Sequence, residues 1–341
     1  MAKLVSLVKK DNCRKNIYTA LELIKKDIKI SGCKNILIKP NMTATRNKIA
    51  NTNVEAVRAV LNFLNDNFKN FNKIKFTVED GSGSALYENT TTEDVFKRFN
   101  YYALEKEFKN VKVKTIDNCA EFFDAKINTV KGEGIVRIAK CIKDYDYKIS
   151  ITPIKTHNYA IATGAIKNML GHIKQDDKSM MHGLKLKGTP GKTIFDYIPT
   201  SLISKARRIM PKTINFAFSL SGTYKKGVKL IHSNIASVSR EVYPDLAIID
   251  CMNGMEGDGP IDGTAIYLGA AVASCDALKA DGVAVRLMGL DPEDIGYLKM
   301  LQERGVGDYS LNGLVGGEIE GIKKSFKLHS TYNAQKNWNK P

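Results

Sequence analysis

The sequence predicts an α/β protein in which a mostly parallel sheet is flanked by helices. Three observations favour this class. Short apolar runs alternate with segments of helical periodicity in the first third of the chain. Several of these runs end directly in polar segments such as Lys39-Pro40-Asn41. The length of 341 residues exceeds what one small core needs, and predicts two packed units or one unit with an insertion.

The first part of the chain gives the clearest alternation of strand and helix. Leu4–Val8 is a short apolar run, and Pro40 ends a second strand because proline cannot donate to a sheet ladder. Apolar side chains then recur at the spacing of helices that follow the first and second strands. The predicted strands are Leu4–Val8, Asn35–Ile38, Ile74–Val78 and Val111–Ile116, and the helical residues are Ile17, Ala20, Leu21, Leu23, Ile24, Val54, Val57, Val60, Leu61 and Leu64, with a further helix start at Thr92.

The remaining elements divide the chain into three predicted regions. Strands are expected at Lys148–Thr152, Leu246–Asp250 and Ala265–Ala273, and helices at Thr163–Gly171, Ala277–Met288 and Pro292–Leu301. Residues 174–230 are polar and punctuated by Gly and Pro, which indicates an irregular or helical insertion, or a lid. The tail after Lys327 is polar and is expected to be mobile. We therefore predict an N-terminal α/β region at 1–150, a central region with a site segment and the insertion at 151–245, and a C-terminal α/β region completing the site at 246–341.

Composition excludes several classes of protein. No apolar run reaches the roughly 20 residues that span a bilayer, so no membrane association is predicted. The six cysteines form no C-x-x-C pair, which argues against an iron–sulfur cluster and fits free thiols in the cytoplasm. The net charge of +16 is spread along the chain without a long basic block, so nucleic acid is an unfavoured partner and an anionic small molecule is a better one.

Two polar segments follow predicted strands where ligands bind in open parallel sheets. Lys39 and Asn41 lie on a rigid corner, from which the lysine can hold a phosphate or carboxylate. Asp80 and Gly81 open a glycine-rich turn whose backbone amides can approach an anion. The alternatives are a surface lysine beside a structural proline, and an ordinary turn.

The segment from 155 to 168 carries the strongest chemical signal. Lys155 and His157 are two residues apart, so in extended backbone their side chains share one face. Either can transfer a proton if its pKa suits neutral pH. The helix start that follows offers amide donors and further polar groups for an anion, from Thr163, Gly164, Lys167 and Asn168. The alternatives are a structural pair bonded to loop backbone and a close helix contact.

Acidic residues near the end of the chain suggest a divalent cation. Asp258 lies in the glycine-rich, acidic loop Met252–Gly263, and Asp276 and Asp281 follow soon after. Oxygen ligands of this kind suit Mg²⁺, although the spacing of a calcium-binding EF-hand is missing. Asp276 can instead cap the helix that begins at Ala277, and the loop aspartates can bond their own backbone.

Taken together, these segments resemble the DUF362 family over roughly residues 35–300. The resemblance rests on six stretches, which are Ile38–Asn41, Pro153–His157, Thr163–Gly171, Pro244–Asp250, Gly254–Pro260 and Ala273–Gly289. Many members of this family carry a ferredoxin-like extension with cysteine runs. This chain lacks those runs, so the resemblance implies no iron–sulfur cluster here, and it names neither a substrate nor a reaction.

The functional prediction is an enzyme acting on a carboxylate- or phosphate-bearing small molecule by acid–base or group-transfer chemistry. Lys39, Lys155 and Lys167 would hold the anion, His157 or Lys155 would move the proton, and the aspartates would bind a cation such as Mg²⁺ or orient a basic group. One alternative is a redox accessory protein that works with a separate iron–sulfur partner. Another is a nucleic-acid-binding protein that uses the basic surface.

Overall fold

A nine-stranded mixed sheet organises the chain in the computed structural model, which describes residues 3–10, 12–83, 88, 90–184, 215 and 219–340. Eight of its strands are β1 (Val5–Lys9), β2 (Asn35–Lys39), β3 (Lys75–Asp80), β4 (Val111–Thr115), β7 (Tyr147–His157), β9 (Leu246–Glu256), β10 (Thr264–Ser274) and β11 (Leu314–Gly316). They lie in the order β11-β1-β10-β9-β7-β2-β3-β4, and the short β8 (Ile161–Thr163) pairs with β7. A separate antiparallel hairpin contains β5 (Phe122–Thr129) and β6 (Gly132–Ala139).

Five of the eight pairings in the large sheet are parallel. The central strands β9, β7, β2, β3 and β4 all run in one direction. Strand β10 is antiparallel to both β9 and β1, and β8 folds back antiparallel to β7. The carboxyl ends of β7, β2 and β3 therefore meet at one edge of the sheet, where ligands bind in proteins of this class. The prediction of a mostly parallel α/β fold is confirmed.

Nine helices flank the sheet within the described residues. They are α1 (Cys13–Leu23), α2 (Val54–Asn67), α3 (Thr92–Arg98), α4 (Ala103–Glu107), α5 (Ala165–Asn168), α6 (Gly222–Val238), α7 (Ala277–Leu287), α8 (Gly296–Glu303) and α9 (Tyr332–Gln335). Side chains cap several of them by accepting bonds from first-turn amides. Asn53 caps α2, Thr91 and Asp94 form a capping box on α3, and Asp276 caps α7. No described helix is long and apolar enough to cross a bilayer.

Two hydrophobic cores lie on opposite faces of the sheet. Side chains alternate along β9, so that Leu246 and Ile248 pack with α1 and α2 while Ala247 and Ile249 pack with α7. Because the strand is buried on both faces, it reads in the sequence as a continuous apolar run. This double burial fixes the register of β7 and β9, and with it the positions of the polar residues at their ends.

Several predicted boundaries are wrong. Strand β7 continues through His157, and β9 continues to Glu256 where a loop was predicted, because β7 pairs with β8 and β9 with β10. The helix predicted at Thr163–Gly171 is only α5 followed by a 3₁₀ turn at Met169–His172. The β5–β6 hairpin was not predicted.

The predicted insertion and tail are only partly as expected. Within 174–230, the described parts are a 3₁₀ helix at Gln175–His182 and the start of α6. Residues 185–214 and 216–218 of this prediction lie outside the described residues. The tail is packed, because Gln335 is fully buried and accepts a hydrogen bond from the Ile161 amide at 2.8 Å. The expectation of a mobile tail is therefore wrong for residues 329–335.

Candidate functional site

Lys39 and Asp80 form a buried ion pair between neighbouring parallel strands. Lys39 ends β2 and Asp80 ends β3, and their side chains are 1% and 3% exposed. The Lys39 Nζ lies 2.5 Å from Asp80 Oδ1, and it also donates to Pro40 O and Asn168 Oδ1. Burial lowers the pKa of Lys39, and the charge of Asp80 opposes that shift. All three N–H groups of this ammonium are engaged within the protein.

Lys155 is engaged in the same way. It lies near the end of β7, and its Nζ donates to Asn41 Oδ1 at 2.6 Å, Thr43 Oγ1 at 3.1 Å and Ala50 O at 2.7 Å. Burial, together with the charge of Lys167, lowers the pKa of Lys155 well below its ordinary value. The three oxygen acceptors favour the protonated form, in which no N–H remains for a ligand.

Asn168 joins these groups into one network. Its Oδ1 accepts from Lys39 and from Asn41 Nδ2 at 2.9 Å, and its Nδ2 donates to Lys39 O at 3.0 Å. We call Lys39, Asn41, Asp80, Lys155 and Asn168 the lysine–asparagine network. The structure thus brings five of the sequence-predicted site residues together at the carboxyl edge of β2, β3 and β7. Each polar group of the network holds another in place.

Lys167 differs from the other two lysines. It lies on α5 next to Asn168 and is partly exposed. Its ammonium group makes no hydrogen bond or ion pair with the residues that the structure describes. Burial lowers the pKa of Lys167 to about 8. The charge of Lys167 in turn contributes to the lowered pKa values of Lys155 and His157, so this cation faces the same region.

His157 presents one defined nitrogen. Its Nδ1 accepts hydrogen bonds from the amides of Tyr159 at 3.1 Å and Ala160 at 3.2 Å. The neutral ring therefore carries its proton on Nε2. Burial and the charge of Lys167 lower the pKa of His157 well below its ordinary value, so the ring is neutral at pH 7. In this state His157 is a hydrogen-bond donor at Nε2, and accepting a proton at Nδ1 would require that nitrogen to leave its backbone partners.

The start of α5 already binds an anion, which is Asp281. The Asp281 carboxylate accepts from the amides of Ala165 at 2.6 Å and Ile166 at 3.1 Å. A Cβ on Gly164 would lie 2.3 Å from Asp281 Oδ1, so Gly164 permits this internal contact. Thr163 is buried in β8 beside it. The helix start at Thr163 and Gly164 was predicted to bind the anion of a ligand, and its amides instead donate to the Asp281 side chain.

Asp258, Asp276 and Asp281 do not come together as a common site. Asp258 accepts from the amide and hydroxyl of Ser330, and Asp276 caps α7 and accepts from the Asp308 amide. Within the described part of the chain, no group of three or more His, Cys, Asp or Glu side chains is arranged to hold a metal ion. The predicted grouping of these aspartates as Mg²⁺ ligands is corrected, because each carboxylate serves backbone donors of a different segment.

Gly81 serves close packing. A Cβ on it would lie 2.5 Å from Ile116 and 2.7 Å from Gly171 O. Its amide donates to Asp80 Oδ1, and its carbonyl accepts from Lys178 Nζ at 2.7 Å. This turn was predicted to bind a phosphate through its backbone amides. The Gly81 amide and carbonyl instead both form hydrogen bonds with side chains of the protein.

Several further polar residues lie beside the network, and neither Lys178 nor His329 was predicted from the sequence. Lys178 and His182 lie on the 3₁₀ helix at Gln175–His182, and burial lowers their pKa values to about 8 and about 4. His329 comes from the packed tail, and its charge contributes to the lowered pKa of His157. His172 Nε2 lies 3.3 Å from Glu79 Oε1, next to Asp80. Only the position of Lys178 in a polar, helix-poor segment could have indicated it, and nothing in the sequence of the tail indicated His329.

A cavity of about 600 Å³ lies elsewhere, beside the end of α7. Arg286, Leu290, Leu314, Ile319 and Lys323 contribute to its lining, and none of the sequence-predicted site residues does so. Glu318 and Glu320 also line the cavity, so it contains charged groups of both signs, but the polar ends of β2, β3 and β7 are not part of it.

Comparison with known proteins gives a family and a distant structural likeness. No curated protein matches the chain. The lactate racemase apoprotein from Thermoanaerobacterium thermosaccharolyticum is similar with a TM-score of 0.36 and 17% identity, over 52% of this chain and 40% of that one. The chain thus matches less than half of the length of that protein. The family model described as a domain of unknown function, DUF362, matches residues 36–286. This match includes β2 through most of α7, and the chain therefore belongs to the DUF362 family.

Proposed function

We propose that this protein is an enzyme that binds a carboxylate- or phosphate-bearing small molecule at the carboxyl edge of β2, β3 and β7. The observation that carries the proposal is the contrast among the lysines. Lys39 and Lys155 have three protein acceptors each, whereas Lys167 has no partner among the described residues. A partly buried ammonium without a partner is costly unless an anion completes it.

The proposed roles follow from which hydrogen-bonding groups are in use. Lys167 contacts the anion, and His157 Nε2 donates a second hydrogen bond to it. Lys39, Lys155, Asn41, Asn168 and Asp80 hold the strand ends and α5 in position. With a pKa of about 8, Lys167 exists in both protonation states near neutral pH and can give or take the proton in acid–base chemistry. This reaction class is the first candidate, and group transfer to the bound anion is the second.

Binding can be tested without knowledge of the substrate. Mono- and dicarboxylates and phosphate monoesters are titrated by calorimetry beside their neutral amides or alcohols. We expect an anion to bind where its neutral counterpart does not, and Lys167→Met to weaken this binding at least about tenfold, because one charge-assisted contact contributes about 1.5–3 kcal/mol. Lys126→Met is the matched control, because it removes the same charge from a side chain that is 78% exposed.

The pH dependence gives a second readout. Binding that needs the Lys167 ammonium should fall as the pH rises through about 8, and Lys167→Arg should retain binding to higher pH. Unchanged affinity in Lys167→Met would overturn the assignment of this residue. Proton transfer is then tested by proton NMR in deuterated water, in which the α-hydrogen of a bound carboxylate should exchange with solvent.

The two alternative functions predict different binding and composition for the same purified protein. A nucleic-acid-binding protein would bind short DNA or RNA with an affinity that falls steeply with salt. A redox accessory protein would contain a metal or flavin after purification. Neither result is expected from an enzyme whose substrate is held by Lys167 and His157.

A further inference from the structure

A pair of thiols lies beside the lysine–asparagine network. Cys119 follows the 3₁₀ turn at Ile116–Asn118, and Cys141 follows β6. Their Sγ atoms are 4.0 Å apart, and both side chains are partly exposed. The base of the β5–β6 hairpin fixes this spacing, because Phe122 pairs with Ala139 and the Lys140 amide donates to Glu121 O.

Cys141 is also joined to the acidic end of β3. Its thiol donates to Glu79 Oε1 at 3.4 Å, and Tyr145 Oη donates to Glu79 Oε2 at 3.1 Å. His172 Nε2 lies 3.3 Å from the same Oε1. Burial and the charge of Glu79 raise the pKa of Cys141, so that this residue remains a thiol at neutral pH.

We propose that Cys119 and Cys141 are a redox-active dithiol that a low-molecular-weight disulfide converts to an intrachain disulfide. An S–S bond of about 2.05 Å requires the two sulfur atoms to approach by about 2 Å. Side-chain rotation can supply this movement, because neither sulfur belongs to an existing disulfide. This inference does not depend on the proposed anion site.

The reaction proceeds in two balanced steps. The thiolate of Cys119 attacks one sulfur of the small disulfide, which forms a mixed disulfide and releases one equivalent of small thiol. Cys141 then attacks the Cys119 sulfur as its proton passes to the departing small thiolate, which releases the second equivalent. Both cysteines are oxidised, and the small disulfide is reduced to two thiols.

Oxidation would alter the site through Glu79. The Cys119–Cys141 disulfide has no S–H, so Glu79 Oε1 loses a donor and keeps only the contact with His172. Glu79 directly precedes Asp80, and a Cβ on Gly171 would lie 2.4 Å from Asp80 Oδ1 and 2.7 Å from Lys39 Nζ. The segment that carries His172 is therefore packed against the Lys39–Asp80 ion pair.

The test uses the full chain and oxidised glutathione in the absence of oxygen. We expect the intact mass to fall by two hydrogen atoms, and peptide mapping to show a link between the Cys119 and Cys141 peptides. Cys141→Ser should stop at a glutathione adduct on Cys119, and Cys119→Ser should form no link. Cys33→Ser is the control, because Cys33 is a partly exposed thiol far along the chain, and it should behave like wild type.

Two further measurements make the proposal specific. Glu79→Gln removes the charge that opposes the Cys141 thiolate, so it should speed the release of the second thiol at least tenfold while the first adduct still forms. The ring resonances of His172 in NMR spectra should shift on oxidation of wild type and stay in place in Cys119→Ser. A persistent glutathione adduct on wild-type Cys119, no modification of Cys119, or unshifted His172 resonances after complete oxidation would each overturn the proposal.

Discussion

The lysine-rich edge of the sheet and the aspartates near α7 were both predicted to bind ligands, and they differ in how far their polar groups already have partners within the protein. At the aspartate end, Asp276 and Asp281 each accept hydrogen bonds from backbone amides at helix starts. At the lysine end, Lys39 and Lys155 are equally engaged, yet Lys167 beside them has no partner in the described residues. A polar residue at a strand end is thus a candidate for ligand binding only if its hydrogen-bonding groups are not already used by partners within the protein.

The two regions also differ in how they carry buried charge. The Lys39–Asp80 pair places opposite charges together in a site almost closed to solvent. Asp281 is a single buried carboxylate that only amide dipoles stabilise. Removing one charge should therefore be harmful in the first region, whereas removing the charge in the second should be tolerated at neutral pH.

The largest effect is expected from Asp80→Asn. This change leaves the Lys39 ammonium buried without its counter-charge, which should lower the free energy of unfolding by about 3–5 kcal/mol. The matched control is Glu133→Gln, which breaks an ion pair with Lys126 whose side chains are 78% and 73% exposed and should cost under about 1 kcal/mol. Urea denaturation of both variants measures the difference.

A second variant identifies the cause of this loss. Adding Lys39→Met to Asp80→Asn removes the unpaired charge and should recover part of the lost stability. If Asp80→Asn costs no more than Glu133→Gln, the ion pair is not what holds the ends of β2 and β3 together.

The next effect is the pH dependence that Asp281 imposes. Burial raises the pKa of Asp281 to about 7, against its two amide hydrogen bonds. Between about pH 4 and pH 7 the folded protein then binds more protons than the unfolded chain, so this residue makes stability fall as the pH rises. The raised pKa corresponds to a loss on the order of 4 kcal/mol in the free energy of unfolding between low and neutral pH.

Asp281→Asn should remove this slope. The asparagine keeps one acceptor oxygen for the amides of Ala165 and Ile166 without a titrating charge. Urea midpoints from pH 4 to pH 7 should decline in wild type more than in the variant. Asp124→Asn, at an exposed position, is the control and should keep the wild-type slope. Equal slopes in all three proteins would contradict a raised pKa for Asp281.

The sequence predicted the elements better than the site chemistry, for a physical reason. Strands such as β2 and β9 can be recognised in the sequence, because burial on both faces requires continuous apolar runs. The parallel pairing of such strands then brings the polar residues at their carboxyl ends to one edge of the sheet. Whether Lys155 binds a ligand depends on Thr43 and Ala50, more than a hundred residues away in the chain. No local pattern contains that information, and the same holds for His329 in the tail.

The smallest effect is expected from a glycine substitution, which tests how tightly the residues around the Lys39–Asp80 ion pair are packed. Gly171→Ala would place a methyl group 2.4 Å from Asp80 Oδ1 and 2.7 Å from Lys39 Nζ. The ion pair would have to shift, which should lower the free energy of unfolding by about 1–3 kcal/mol.

Gly222→Ala is the matched control, because no atom lies within 4 Å of the position that its Cβ would occupy at the start of α6. The alanine there should leave the free energy of unfolding unchanged or raise it by up to about 1 kcal/mol. Urea denaturation of the two variants isolates the cost of crowding from the effect of alanine on the unfolded chain. If both variants match wild type, the segment from Gly171 to His172 can move away from the ion pair. The contact through which Cys119 and Cys141 would influence Lys39 and Asp80 would then be too loose to transmit a change.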